Sequence, residues 1–460
     1  MFDPGDPRTR LTRAEYLREL AQLSRDAQAE DVRKQGDALS RQIDLRLEQA
    51  IAAQGTLSDL PDRTVEVWDG GEALWSDGAI VVVRGDHAMS RSRVEPGFEL
   101  IGPGTIRRAE GTGNGFRTLV IPGTAASDAV SRMEGVTFDG QRPDGYEHDQ
   151  AHLVMLGYHP LAQSVSQTHR IEVVDCAFID AHADGLYLAG VSGTVRGCRF
   201  SGSGRAGVSL THTSDLLVEE CTGDGFNHEL ESPSPWAGSL VMRDCRWGAM
   251  KATAQGGGRL LLDRVNCTPS LRDNPTSLMQ VNGQIAPGLL AARRAHSAAK
   301  TLADRAESAG DPDLDELRAV QAAALVDLLA ARGARQIATE SSMAVDCDWS
   351  LASHVTIYQP SAITLERVRL SEQGKYAAHL RIQDRYRWPP NQRVTMRDCT
   401  FDRPILGWGN YRLEFAGCTG PIDGPWIEYD LSANDPAPMV IVHDGATYVI
   451  TGDRGTWRPA

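Results

Sequence analysis

The chain has no apolar run approaching membrane-spanning length. Its first residues, MFDPGDPRTRLTRAEYLRELAQLSRDAQ, lack the basic start and apolar core of a secretory signal. The expectation is a protein without a membrane span, made in the bacterial cytoplasm without a signal peptide. Basic excess is also missing: the formal charge is −14, so the surface repels phosphates on average and nucleic acid is not an expected partner. Only four of the 47 basic residues are lysine, which carries no functional reading by itself. Aromatic residues amount to 6% against 45 glycines, a balance that suits a turn-rich solenoid better than a compact α/β enzyme.

Cysteine is present eight times, yet the spacing does not read as a disulfide framework. Each cysteine falls in one recurring pattern: VVDCAF at Cys176, VRGCRF at Cys198, VEECTG at Cys221, VMRDCRW at Cys245, LLDRVNC at Cys267, AVDCDW at Cys347, VTMRDCTF at Cys399 and LEFAGCTG at Cys418. Seven take the first inward slot and Cys267 the second, two residues on, which is the same face of a strand. Val136 and Phe138, and likewise Val368 and Leu370, fill the same slots, so cysteine acts there as a small hydrophobe. From Cys176 through Cys198, Cys221 and Cys245 to Val265 each step is twenty-odd positions, the length of one solenoid coil. The leucine and asparagine ladder of a leucine-rich repeat is absent. A second strand follows in each coil, as in GLYLAG (185 to 190) and GVSLTH (207 to 212).

With this repeat, and with the Gly-rich start VEPGFELIGPGTI (94 to 106), the chain resembles the right-handed parallel β-helix proteins of the pectate-lyase-like superfamily. The fold expected is an all-β solenoid, a right-handed parallel β-helix with an N-terminal α-helix and an inserted helical hairpin. The divisions are an N-terminal helical attachment segment over 1–56, a connector with short strands over 57–93, the β-helix over 94–430 and a C-terminal β-hairpin cap over 431–460. In residues 10–54 the residues Tyr16, Leu20, Leu23, Ala27, Leu39, Ile43, Leu47 and Ile51 stand at helical spacing, interrupted by Gly36. Such a thin stripe requires copies of itself, a docking partner or its own β-helix to pack against. The Ala-rich insertion, about 287–335, breaks at Gly310, where Asp311 and Pro312 supply an N-cap and a first-position proline. It is expected to cover apolar β-helix surface, with a lid or subunit contact as the functional alternative. Residues 439–451 read as a hairpin turning at Asp444 and Gly445.

Counting from the ladder residue, the following turns bring Asp180, His182 and Asp184 in one coil, Arg205 in the next, Asn227, His228 and Glu229 in a third and Lys251 in a fourth. These predict one polar strip on the outside of adjacent coils. Asp184 and Glu229 would stand two coils apart, about 9.6 Å, near the separation an inverting glycosidase needs. A lyase would instead use Arg205 or Lys251 as base. The competing reading is solvated turn chemistry, because solenoid turns are polar throughout. The segment HADGLYL (182 to 188) resembles the Asp-Gly segment of polygalacturonases, and GRAGVSLTH (204 to 212) their Gly-His-Gly segment, but Ala206 replaces the histidine. The paired-Asp and Arg-x-Lys motifs are missing, so that activity does not carry over and no catalytic residue is assigned.

No cofactor or metal motif is read. The acidic loop holding Asp144, Glu147, His148 and Asp149 offers oxygen and imidazole donors for a divalent cation, but without a metal-binding spacing. A second cluster, Arg385, Tyr386, Arg387 and Trp388, lies on a proline-stiffened stretch in the lengthened coil between Val368 and Cys399. Aromatic faces stack on sugar rings and guanidinium groups pair with carboxylates, which makes these the glycan-binding candidates. Trp408, Tyr411, Trp426 and Tyr429 follow, and a subunit interface is the alternative use of such aromatics. The β-helix, the helical N-terminal arm, the missing signal and the free thiols together resemble the spike proteins of tailed phages and phage-like gene transfer particles. That resemblance implies a homotrimer on a virion or particle surface, attached to a docking protein through its N-terminal helix. It also implies recognition of host cell-surface or capsular polysaccharide, with or without depolymerase activity. The alternative is a free polysaccharide lyase or glycoside hydrolase, and a cytoplasmic scaffold is a third reading.

Overall fold

The structure, a computed structural model, describes residues 65–459 except 69, 71–79, 91, 95, 111–118, 121–128, 144–150, 158–168, 212–214, 229–238, 256–258, 269–277, 286, 310–312, 334–341, 359–361, 382–392, 409–411 and 432–437. The N-terminal segment expected to be helical therefore lies outside the described residues. So do the acidic loop, Glu229, Tyr411 and the Arg385 to Trp388 cluster.

Three long sheets, the first of 15 strands, the second of 8 and the third of 13, account for most of the described chain. The chain visits them in rotation. His169–Val174 lies in the first sheet, Ala177–Ile179 in the second, Leu186–Ala189 in the third, and Val191–Arg196 is back in the first. Each strand pairs in parallel with its counterpart one turn on. This is a β-helix-like fold, and the twenty-odd-residue period of the sequence is the length of one such turn. The connector expected over 57–93 belongs to the same sheets from its first described strand. Val65–Trp68 pairs in parallel with Ile80–Val83, which pairs with Glu99–Ile101.

The cysteine ladder marks the corner between the first and second sheets. Val136, Cys176, Cys198, Cys221, Cys245, Val265, Cys347, Val368 and Cys399 are buried there, and Cys418 is half-buried. The residue before each one has φ between 50° and 66°: Gly135, Asp175, Gly197, Glu220, Asp244, Arg264, Asp346, Arg367, Asp398 and Gly417. A left-handed residue turns the chain sharply at each coil. Gly reaches that region freely and Asp tolerates it through local hydrogen bonding, which is why the slot before the ladder residue is Gly or polar. Where arginine occupies the slot it bonds the carboxylate in the slot one coil back, Arg264 Nε to Asp244 Oδ1 at 2.6 Å and Arg367 Nε to Asp346 Oδ1 at 2.5 Å.

The second sheet carries a stack of aromatic residues in its core. Ile106, Phe138, Phe178, Phe200, Gly223, Trp247 and Cys267 are in register, and the Phe rings stack at 5.3 and 5.0 Å, within 8° of parallel. Gly223 is required here: a Cβ would stand 2.7 Å from Phe200 Cβ and 2.9 Å from Trp247 Cζ3, the two rings that close over it. Cys267 continues this stack two residues beyond the first inward slot, as its displaced position in the pattern predicts.

At the C-terminal end Met439–His443 and Ala446–Ile450 form an antiparallel hairpin with Asp444 and Gly445 at φ 46° and 86°. A last strand, Arg454–Trp457, which sequence reading missed, pairs antiparallel with Ile427–Asp430. Its Trp457 packs on Phe415, His443 and Tyr448 and closes that end of the core. Trp426 and Tyr429 belong to this closure, Trp426 among Phe401, Phe415 and His443, and are not available to a ligand as a surface pair.

The corner from the third sheet back to the first varies most in length. In one coil it is Gly190 alone, in another it takes up 382–392, and in a third it extends over 286–341. The last of these carries two helices, Pro287–Ala309 and Leu314–Gly333. They were expected to cover β-helix surface. They pack on each other, burying Ala299, Ala303 and Ala306, with Arg318 Nη2 donating to Glu307 Oε1 at 2.8 Å across the pair. Leu302, Val320 and Val326 are each more than half exposed.

Candidate functional site

The turns leading into the third sheet hold the most concentrated buried charge among the described residues. Asp184 stands two residues before the strand Leu186–Ala189 and is fully buried. Arg205, one coil on, donates Nε to Asp184 Oδ1 at 2.9 Å and Nη2 to Asp184 Oδ2, and the Ala206 amide donates to Oδ1 at 3.1 Å. From the coil before, His152 Nδ1 lies 3.0 Å from Oδ2, off the line of a good hydrogen bond, while its ring stacks on Tyr187 at 4.5 Å. Burial alone would raise the Asp184 pKa, but the nearby His152 ring and the Arg205 guanidinium outweigh it and hold the carboxyl below its ordinary range. A carboxylate kept ionised behind a guanidinium is a poor proton donor. What it does is fix the Arg205 guanidinium, which is a quarter exposed, at the mouth of the turn.

The polar strip predicted from the ladder spacing does not form as one line. The turn between the second and third sheets has six residues in the coils of Asp184 and Arg205, but two in the coils of Asn227 and Lys251, and the second-sheet strand before it is one residue shorter, so positions counted from the ladder slip by five. Asp180 is exposed, with φ 49°, and His182 is half-buried. His228 is in register with Leu210, a core position. The residue truly equivalent to Asp184 is Asp224, two coils on: His152, Asp184, Ala206 and Asp224 each precede a third-sheet strand by two residues. Asp224 is buried, accepts from the Ser203 amide at 3.4 Å, and keeps Oδ1 without a hydrogen-bond partner among the described residues. Aligning Asp184-Gly185-Leu186, Ala206-Gly207-Val208 and Asp224-Gly225-Phe226 on their glycines would have found it.

Asn227 and Lys251 do share a line in the register of the third sheet. The register joins Ser209, Asn227, Lys251, Gln280, Thr356 and His379 over six successive coils. Each is a hydrogen-bonding residue alternating with core positions such as Val208, Met250 and Val355. Ser209 and Thr356 are buried while Lys251 and His379 are half-buried, so the line is recessed. Beside its last member the His354 ring lies 4.2 Å from His379, Tyr376 meets His379 edge-on at 5.2 Å, and Lys375 Nζ stands 4.9 Å from the Tyr376 ring. Sequence reading missed this aromatic and cationic group, because His354 and His379 belong to successive coils and only the register joins their faces.

The outer face of the first sheet differs in kind. Its charges neutralise one another in a ladder in which Arg196 meets Glu219, Arg243 meets Glu219 and Asp263, and Arg264 meets Asp263 and Asp244. No group of three or more His, Cys, Asp or Glu residues disposed to hold a metal occurs among the described residues, and no described helix is long and apolar enough to cross a membrane. The chain matches no protein-family model, no curated protein and no solved structure. The fold therefore defines it as a protein of parallel β sheets with a β-helix-like coil and a register line of polar residues along the third sheet.

Proposed function

We propose that the protein is a spike or fibre of a phage or phage-like particle, a right-handed β-helix of the pectate-lyase-like kind that recognises an acidic polysaccharide on the host cell. The supporting observation is the line from Ser209 to His379. Its members repeat at about 4.8 Å, the spacing of adjacent strands, so a sugar chain laid along the axis meets a fresh hydrogen-bonding side chain at each coil. Lys251 belongs to that line and Lys375 stands in the turn before its last strand, cations in a chain of net charge −14 that favour uronic or sialic acid units. The corner insertions flank the same sheet, and the Arg385 to Trp388 cluster belongs to one of them.

In this reading three copies associate, the N-terminal segment attaches the trimer to its particle, and the polar line binds glycan with or without cutting it. The low Asp184 pKa favours recognition over acid catalysis. The test is a screen of acidic and neutral polysaccharides, coupled to assays for new reducing ends and for unsaturated products. Retention of acidic glycans, weakened about tenfold or more by Lys251→Ala with His379→Ala, is the expected result. Turnover would move the protein to the lyase or hydrolase class, and absence of binding to every glycan would end the proposal. Sedimentation should give a trimer, and deletion of residues 1–56 should leave a folded protein that no longer decorates particles.

A further inference from the structure

The second helix of the insertion is apolar on nearly every side. From Ala319 to Ala331 only Gln321 and Asp327 are polar. A helix of that composition is ordinarily buried all round, yet it packs on one neighbour, and Val320 and Val326 are more than half exposed while Leu325 is 40% exposed. Two ion pairs, Arg318 with Glu307 and Lys300 with Asp304, lie between or along the helices, while the stretch of the second helix from Ala319 to Val326 has no charged residue to meet a polar partner. Two helices with one open apolar side are a bundle short of a member.

We propose that residues 37–54 of the same chain supply that member and pack on the helix Leu314–Gly333 as a third helix. The sequence on the far side of Gly36 has the stripe this requires, with Leu39, Ile43, Leu47 and Ile51 at successive spacings of four. An 18-residue helix is about 27 Å long and the 20-residue helix it would cover about 30 Å, so the two match end to end. The reach is also sufficient. The insertion returns to the first sheet at Ser342–Val345, the tenth strand of that sheet counted from Val65–Trp68, about 43 Å along the axis at about 4.8 Å per strand. The ten residues 55–64 span up to about 33 Å when extended, to which the helix adds its own length. Residues 1–35 remain outside the bundle, so attachment to a particle and closure of the bundle use different parts of the N-terminal segment.

Hydrogen–deuterium exchange on the full chain tests this. Amides of Leu314–Gly333 should be protected in the wild type. Ile43→Asp with Leu47→Asp should speed their exchange about tenfold or more, while Leu186–Ala189 and Val208–Thr211 in the third sheet stay as slow as before. Deleting residues 1–35 should leave the protection intact. Limited trypsin digestion reads the contact from the other side: Arg41 and Arg46 should resist cleavage in the wild type and be cut in Val320→Asp with Val326→Asp. Unchanged exchange in the Ile43/Leu47 variant, or equal cleavage in both proteins, overturns the proposal. Protection that rises with protein concentration also overturns it, because the cover would then be a second copy.

Discussion

Arg205 reaches back one coil to clasp Asp184 with two hydrogen bonds, and the carboxylate so held is the most completely buried charge in the turns of the third sheet. The pair converts a position that spacing marks as a surface turn into a structural anchor. Desolvating the carboxylate is offset by the guanidinium, the Ala206 amide and the nearby His152 together.

Removing the guanidinium should therefore cost more than removing the carboxylate charge. Arg205→Ala strands an ionised group in the interior and should lose about 3–5 kcal/mol, whereas Asp184→Asn should lose about 2 kcal/mol because Arg205 retains solvent. Urea denaturation of both variants measures the order, and a larger loss for Asp184→Asn would contradict it.

The same pair sets a pH dependence. The folded Asp184 pKa lies below the unfolded value of about 3.9, so its contribution is fully present above about pH 5 and is lost as pH falls through the folded value. The stability difference between wild type and Asp184→Asn should accordingly shrink in acid. Melting curves between neutral and strongly acid pH would show a constant gap if the carboxylate were unpaired.

Thiols in the ladder should be reduced in the native protein. Burial raises the pKa of Cys347 to about 12 and raises those of Cys221 and Cys245 as well, so thiolate is scarce there at neutral pH, whereas hydrogen bonding with the neighbouring ladder thiol lowers those of Cys176 and Cys418, and half-buried Cys418 should be the first to react. Alkylation of the fully buried thiols should be slow until denaturant is added, and non-reducing mass mapping should find no native disulfide. Cys198→Asp should destabilise by more than about 4 kcal/mol, because it forces a carboxylate into the same stack.

Phe178 stacks on Phe138 below and Phe200 above, so its truncation opens a cavity that neither fixed neighbour can fill. Phe178→Ala should cost about 3–5 kcal/mol. The comparison is Ile422→Ala on the exposed surface, which should stay within about 0.5 kcal/mol of wild type in the same thermal melts.

For the glycan, Tyr386→Ala with Trp388→Ala should weaken binding and leave the melting temperature near wild type, since each ring offers a flat apolar face to a sugar. An exposed arginine to carboxylate contact adds at most about 1 kcal/mol, so Arg385→Ala and Arg387→Ala should change preference among acidic sugars more than affinity. A large loss of trimer content in the aromatic variant would assign those rings to packing.

The sequence alone determined the coil. An inward residue repeating every twenty-odd positions, preceded by Gly or a polar residue, needs only local chemistry to be read: a side-chain period of two and one left-handed bend per turn. The burial of Cys176 and Cys198, the displaced register of Cys267 and the turn at Asp444 and Gly445 were legible for that reason. Tertiary structure decided what shares a face. Asp184 and Asp224 are equivalent although they stand eight and three residues past their ladder cysteines, because the path from the ladder to the third sheet is five residues shorter in the later coil. His354 meets His379, and Lys251 lines up with Gln280, through strand register, which stacks residues from successive coils whatever the length of chain between them. The exposed helical pair was likewise beyond sequence reading, since an apolar helix looks the same in one dimension whether its cover is the β-helix or another helix.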